Sequence, residues 1–260
     1  MANTKDTTPS LVGALLLAGI SLFQNTAKAA NDDEHDQSRW GLGLGGAFSH
    51  SPYRGLDNQS QVLPIVSYEN RWLSVVGPGL DFKIPSTTAL SFRLQARYGL
   101  GDGYDASDSD DLAGMHDRDP GVWLGGSAIW DSPIAQFSAQ WLGDVSGNSD
   151  GQTFKLAVQR RFRANAFDFT PRLAAVRVND QYVDYYYGVR ASEATAVRSA
   201  YDGEATVNLE AGLRTGYRLD EHQHLYLDLS VTRLGDEIKD SPIIDRSTQS
   251  SARLWYLYRF

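Results

Sequence analysis

The last ten residues constrain this chain most. They read Ser251-Ala-Arg-Leu-Trp-Tyr-Leu-Tyr-Arg-Phe260. Leu254, Tyr256, Tyr258 and Phe260 fall at every second position, so an extended backbone puts all four on one face. Three of them are aromatic, and the chain finishes on one. Chain ends ordinarily fray. A last strand ending on an uncapped aromatic is a habit of bacterial outer-membrane barrels, in which aromatic girdles mark the membrane interfaces. These four residues are therefore read as the barrel-closing strand and insertion signal. Two expectations follow. The other strands should alternate lipid-facing and lumen-facing residues, and the chain should open with an export signal.

The N-terminus meets the second expectation. Leu11 to Phe23 is an apolar stretch of signal-peptide length, and Ala27-Lys28-Ala29 has the small-x-small form of a cleavage site. Residues 1–29 are assigned as a cleaved signal peptide and 30–38 as a polar lead-in. No run of about 20 apolar residues follows, so nothing in 39–260 predicts a transmembrane helix. The chain has no cysteine, which removes disulfides and thiolate chemistry together. Its net charge of −8 argues against nucleic acid as a partner.

Alternation recurs along the chain. Trp40, Leu42, Leu44, Gly46 and Phe48 oppose Gly41, Gly43, Gly45 and Ala47, an apolar face backed by a nearly bare one that suits a narrow lumen. The run Gly41-Leu-Gly-Leu-Gly-Gly46 resembles a dinucleotide fingerprint, but no helix follows to take a pyrophosphate. Leu90, Phe92, Leu94, Ala96 and Tyr98 oppose Ser91, Arg93, Gln95 and Arg97. Val207, Leu209, Ala211 and Leu213 oppose Asn208, Glu210, Gly212 and Arg214. Leu225, Leu227, Leu229 and Val231 oppose Tyr226, Asp228, Ser230 and Thr232. Phe154 to Phe162 alternates until Arg160 breaks the apolar face. Phe167 to Val178 loses phase near Ala174-Ala175-Val176, where a bulge would restore it. Strands of about 9–13 residues are long enough to cross a bilayer at a tilt.

The expected fold is all-β, a transmembrane antiparallel up-and-down barrel over 39–260. Eleven segments are countable, yet single-chain bacterial barrels have even numbers. Setting Phe260 at the periplasmic side sends the long stretches 99–119, 143–151, 179–203 and 235–247 outward. That requires an odd number of strands before Gly99, whereas four are visible. Splitting Trp72–Phe82 at Gly77-Pro78-Gly79 gives twelve strands, the preferred count; dropping a segment gives ten.

The chemistry-bearing groups are sparse. The stretch 99–119 carries seven aspartates but lacks the spacing of a calcium loop, and reads as a solvated surface loop. His116-Asp117 with Asp108 and Asp110 supplies the residue types of a rim protease without evident pairing. Ser49-His50-Ser51 would suit a lipid hydrolase, but neighbours in a strand point to opposite faces. His222 and His224 lack a third metal ligand. No catalytic, cofactor or metal site is expected. The lumen is more informative: alternation points Arg93, Arg97, Lys155, Arg161 and Arg214 inward with Glu210 and Asp228. They form either an ion-pair filling or a narrow anion-preferring pore, and limited interior space favours a filled or narrow lumen. Tyr185, Tyr186 and Tyr187 sit in an outer loop as a constriction, a contact patch or rim packing.

Several motifs in order resemble the MipA/OmpV family of MltA-interacting outer-membrane proteins. They are Ser51-Pro52-Tyr53-Arg54-Gly55, Leu63-Pro64-Ile65 with Tyr68, Tyr185-Tyr186-Tyr187-Gly188-Val189, Tyr226 through Arg233-Leu234-Gly235, Asp240-Ser241-Pro242-Ile243, and Tyr258-Arg259-Phe260. The acidic loop around Asp108 departs from that pattern. The resemblance implies an outer-membrane protein without an enzymatic role. It also implies a scaffold that brings a lytic transglycosylase together with a penicillin-binding protein. Outer-membrane lipid and the barrel assembly machinery complete the expected partners. A narrow channel for small solutes is the alternative reading, and a surface adhesin a minor one.

Overall fold

A computed structural model describes residues 38–260 except 57, 87, 88, 101 and 102. The expected signal peptide and all but the last residue of the lead-in lie outside the described residues. Thirteen strand segments follow: β1 Arg39–His50, β2 Asn58–Glu69, β3 Leu73–Val76, β4 Gly79–Ile84, β5 Leu90–Leu100, β6 Gly121–Asp131, β7 Gln136–Asp144, β8 Gln152–Gln159, β9 Phe162–Ala164, β10 Phe167–Val178, β11 Thr206–Arg218, β12 Gln223–Arg233 and β13 Thr248–Arg259. Two short helices, α1 Asp180–Tyr187 and α2 Asp236–Lys239, interrupt the later loops. None of the described helices is long and apolar enough to cross a membrane.

All pairings are antiparallel, and β13 pairs with β1, so the sheet closes. β8 and β9 are successive partners of β10: Arg172–Val178 face β8 and Phe167–Phe169 face β9. The break between them falls at Arg160-Arg161, where the alternation in the sequence also fails. Together they fill one position, giving a closed barrel of twelve strands. The split at Gly77-Pro78 is the other half of the count: β3 and β4 form a hairpin around Gly77 in the left-handed region (φ 53°). The bulge expected in β10 is absent. β10 keeps unbroken register with β11 over all twelve of its residues. Ala174 and Ala175 are small enough to face either way, so no re-phasing is needed.

The β3–β4 hairpin is short. β3 pairs only with Ser67–Glu69 of β2, and Gly77 N–H donates to Val66 O at 3.0 Å. Beyond that tip, Asn58–Ile65 of β2 have no strand beside them on the β3 side among the described residues. Pro64 lies in this stretch, where a missing N–H is tolerated at a strand edge. Val62 is 72% exposed there.

Burial is inverted relative to a water-soluble sheet. Trp40, Leu42, Leu44, Phe92, Leu94, Leu209, Leu227 and Leu254 are exposed on the outer wall, while Asp81, Arg93, Arg97, Glu210, Asp228 and Arg253 are buried within. An apolar exterior around a charged interior fits hydrocarbon outside and polar contacts inside. Aromatic pairs mark the outer wall at the end holding Phe260: Trp40–Tyr68, Trp72–Phe82, Trp130–Phe137 and Tyr258–Phe260. This end, with its short turns, is the turn end; the other is the loop end.

The glycine face of β1 has a geometric reason. A Cβ on Gly43 would lie 2.1 Å from Tyr256 O, and one on Gly45 would lie 3.0 Å from Trp255 Cβ. β1 is bare inside because β13 fills the lumen in front of it.

Candidate functional site

Three layers occupy the barrel between its ends. Nearest the turn end, β12 and β13 turn Tyr226, Trp255 and Leu257 inward, against Ile65 and Val76. Tyr226 and Trp255 stack at 5.2 Å. Alternation had drawn attention to Leu254, Tyr256, Tyr258 and Phe260. These do face outward, and the residues between them fill the lumen.

The second layer is a pair of charge networks. In one, Asp81 of β4 accepts from Arg93 Nη1 at 3.0 Å, Gln95 Nε2 at 3.2 Å and Arg97 Nη2. Gln140 of β7 extends it by donating to Gln95 Oε1 at 2.7 Å. In the other, Asp228 accepts two bonds from Arg172, at 2.8 and 2.9 Å, and one from Arg214 Nε at 3.1 Å. Glu210 is shared by Lys155 Nζ at 2.7 Å and Arg172 Nε at 2.9 Å. Arg161 pairs with Asp168 at 3.0 Å, closer to the turn end. All seven residues proposed from alternation therefore lie on inward positions, six of them within these two networks. Asp81, Arg172, Arg253 and Asp168 were missed. They stand on β4, β10 and β13, strands from which no lumen residue was proposed. What no local pattern revealed was which strands would face each other.

The third layer is a cap folded from the long loops. Tyr53, Tyr104, Leu112, Met115, Trp123, Leu142, Val178, Tyr182, Val183, Tyr186, Tyr187, Val189, Leu234, Ile238, Ile243 and Ile244 form one buried apolar cluster. α1 supplies its centre. Asn179 caps the helix by accepting from Tyr182 N–H at 3.1 Å. Tyr182, Val183, Tyr186 and Tyr187 then share the buried face. Tyr186 and Tyr187 are buried, Tyr187 stacking on Tyr53, so these two offer no free contact patch. Tyr185 is half-buried and bonds to Asp119 N–H at 2.9 Å.

The acidic stretch 99–119 corrects its expected solvated state. Tyr104, Leu112 and Met115 are buried in the cap, while Asp108, Asp110, Asp111, Asp117 and Asp119 stay exposed. The acids face water because the sparse apolar residues between them are held by other loops.

Charge pins the cap as well. Glu193, buried, accepts from Arg118 Nη2 at 3.0 and 3.1 Å, from His116 N–H at 3.0 Å and from Arg190 N–H at 2.9 Å. Burial pushes its pKa up. The hydrogen bonds from Arg190 and His116 and the Arg118 charge outweigh that and bring it to about 2. Arg118 Nε donates to Tyr185 O at 2.5 Å. Arg198 donates to Asp111 O, Ala113 O and Glu193 O, tying the stretch 103–120 to the one after α1. Burial pushes the Tyr104 phenol up to about 12 despite the nearby Arg118.

The remaining candidates do not come together. His116 Nδ1 lies 2.7 Å from Glu193, and Asp117 accepts from Ala106 N–H. His50 Nδ1 lies 3.1 Å from Ser250 Oγ across the β1–β13 seam. His222 Nδ1 lies 2.9 Å from Arg259 O, whereas His224 stacks on Tyr226.

The Escherichia coli K12 outer membrane protein YiaT is 28% identical over 213 residues, 81% of this chain and 86% of that protein. The MltA-interacting protein of the same strain is 26% identical, over 87% of this chain and 92% of its own. OmpV of Vibrio cholerae is 23% identical, over 96% and 97%. Among solved structures, an outer membrane channel of Pseudomonas putida F1 aligns at a TM-score of 0.45 and 12% identity, covering 89% of this chain and 100% of that one. The family model of MltA-interacting protein MipA matches residues 42–260. The protein is an outer-membrane β-barrel and belongs to the MltA-interacting protein MipA family.

Proposed function

We propose that this protein is a non-conducting scaffold of the cell envelope that holds a murein hydrolase, of the lytic transglycosylase kind, near a murein synthase. The observation that carries the reading is the filled barrel: an aromatic layer, buried ion pairs and a folded cap succeed one another along one lumen. A barrel so filled acts through its surfaces. The name of the MltA-interacting relative supports the choice of partner. The cap faces the exterior, and the turn end, carrying Arg39, Arg71, Arg160, Arg163 and Arg218 exposed at its rim, faces the periplasm and its partners.

Two measurements test this. Planar-bilayer recordings of the refolded barrel are expected to show no stable conductance. Discrete anion-selective steps, reduced in Arg93→Ala or Arg97→Ala, would replace the scaffold with a narrow channel, a reading favoured by the cation-rich lumen. Affinity capture from envelope extracts is expected to recover a lytic transglycosylase and a penicillin-binding protein. Recovery of neither in repeated captures removes the scaffold role.

A further inference from the structure

We infer that the barrel wall has a side window, between β2 and β5 above the β3–β4 hairpin, and that one acyl chain of a membrane lipid enters it from the loop-end leaflet. The inference is independent of the scaffold role and of what the turn end binds.

Four elements frame the window. Its sill is the hairpin tip: Gly77 N–H donates to Val66 O, and a Cβ on Gly77 would find nothing within 4 Å. One jamb is β2 from Asn58 to Ile65, which has no strand on that side among the described residues. The other jamb is the top of β5, where Tyr98 N–H donates to Pro78 O at 3.3 Å before the register breaks around Gly99 (φ 80°). The lintel is the stretch 103–118, which crosses back to the β1–β2 loop and donates Ser109 Oγ–H to Arg54 O at 3.2 Å.

Backbone chemistry says what lies behind the edge. Val66 turns its carbonyl toward the hairpin, and alternation turns the backbone groups of Pro64, Val62, Ser60 and Asn58 the same way. Pro64 removes one donor from that row. At membrane depth an open sheet edge is tolerated only where it meets protein or lines a water-filled cavity, so the lumen reaches this one. Burial agrees. Leu63, Ile65 and Val76 point inward yet stay half-exposed, whereas Asp81, Arg93, Arg97, Trp255 and Leu257 on inward positions are buried.

The surroundings choose the occupant. The window interrupts a wall whose outer face is apolar, so acyl chains lie against its mouth. Val62, Pro64, Val66 and Tyr98 line the approach and are exposed. Just inside, Ile65 and Val76 pack on the layer of Trp255, with Leu63 one inward position above Ile65. That aromatic layer closes the way down and the cap closes the way up, so the space is a blind pocket suited to the end of a chain. A second copy does not supply the missing strand. Copies inserted in the same sense are related by rotation about the membrane normal, so their β2 strands run the same way. Every pairing in this wall is antiparallel.

The test uses the full mature chain refolded into phosphatidylcholine vesicles, with acyl chains brominated at mid-length as the probe. Bromine quenches tryptophan on contact, and lipid outside an unbroken wall does not touch the inward Trp255. A variant keeping Trp255 alone, with phenylalanine at the other five tryptophans, is expected to lose emission on bromination. The loss should match that of a variant keeping only the lipid-facing Trp141. A variant keeping only Trp123, sealed in the cap, should lose none. Leu63→Asp sets a charge inside the window and should restore Trp255 emission while the folded barrel keeps its mobility on a gel. If the five-fold variant does not refold, the difference between the intact chain and Trp255→Phe supplies the same reading. Unquenched Trp255 overturns the inference; a Val62 amide as protected from exchange as that of Leu227 would then assign the edge to a protein strand. Quenching that survives Leu63→Asp overturns it as well, because bromine then reaches Trp255 by another route.

Discussion

Glu193 is where a single proton acts on the cap. Its folded pKa of about 2 lies below the ordinary 4.5 of a glutamate. A depressed carboxylate contributes stability that is complete above the unfolded pKa and is lost as pH falls through the folded one. The shift corresponds to on the order of 3 kcal/mol at neutral pH. Between about pH 4.5 and 2 the cap should therefore loosen while the strands persist. Fluorescence of Trp123, buried beneath Tyr182, should report it, with far-ultraviolet dichroism unchanged. Glu193→Gln should leave Arg118 buried without its partner and cost about 3–5 kcal/mol in denaturant titrations. A second residue-scale prediction concerns Gly43. An alanine there meets Tyr256 O, a backbone atom that cannot swing aside. Gly43→Ala should destabilise the β1–β13 seam by about 1–3 kcal/mol, read as a lower temperature for the heat-induced gel shift of the folded barrel. The glycine face itself was legible as a narrow lumen. That Trp255 fills it was not, because Trp255 meets Gly45 only through the β1–β13 pairing that closes the barrel.

At the scale of elements, the strands announced themselves and the cap helix did not. Alternation placed Arg93 and Arg97, or Glu210 and Asp228, on inward positions without any knowledge of partners. The pairing of Arg172 with Asp228, 56 residues away, depends on register and closure, which no local window contains. α1 left a signal that reading for strands passes over. Asn179 stands at its N-cap, and Tyr182, Val183, Tyr186 and Tyr187 repeat at helical spacing. Asn179→Ala removes the bond to Tyr182 N–H and should cost about 1 kcal/mol of cap stability. The short β3–β4 hairpin has its own consequence. Among the described residues, the upper edge of β2 lacks the neighbouring strand that protects the rest of the wall. In detergent, the amide of Val62 should exchange with deuterium faster than that of Leu227, which sits between β11 and β13.

For the whole molecule, the decisive pattern is which solvent each face meets. The average hydropathy of the chain is modest, because half of every strand is polar and points inward. Location and fold were therefore readable from alternation and the terminal strand. The cap was not, since its core draws one or two residues from each of several loops. Tyr104, Leu112 and Met115 lie among exposed aspartates, and their partners are Tyr53, Tyr187 and Ile244 from distant stretches.

That shared core makes the cap of this protein a single body. Loops that bury residues in one another cannot change length independently, so variation imposed from outside should collect at the few places that touch nothing. Gly147 is such a place, with open space around it and a backbone already in the left-handed region. Gly103 is the opposite, with Arg118 O at 2.2 Å from any added Cβ. An epitope tag inserted after Gly147 should be displayed on intact cells with the barrel's heat-modifiable mobility preserved. The same tag after Gly103 should collapse the cap and expose the barrel to protease. An antibody raised against one loop should then fail to recognise that loop as a free peptide, because its shape belongs to its neighbours.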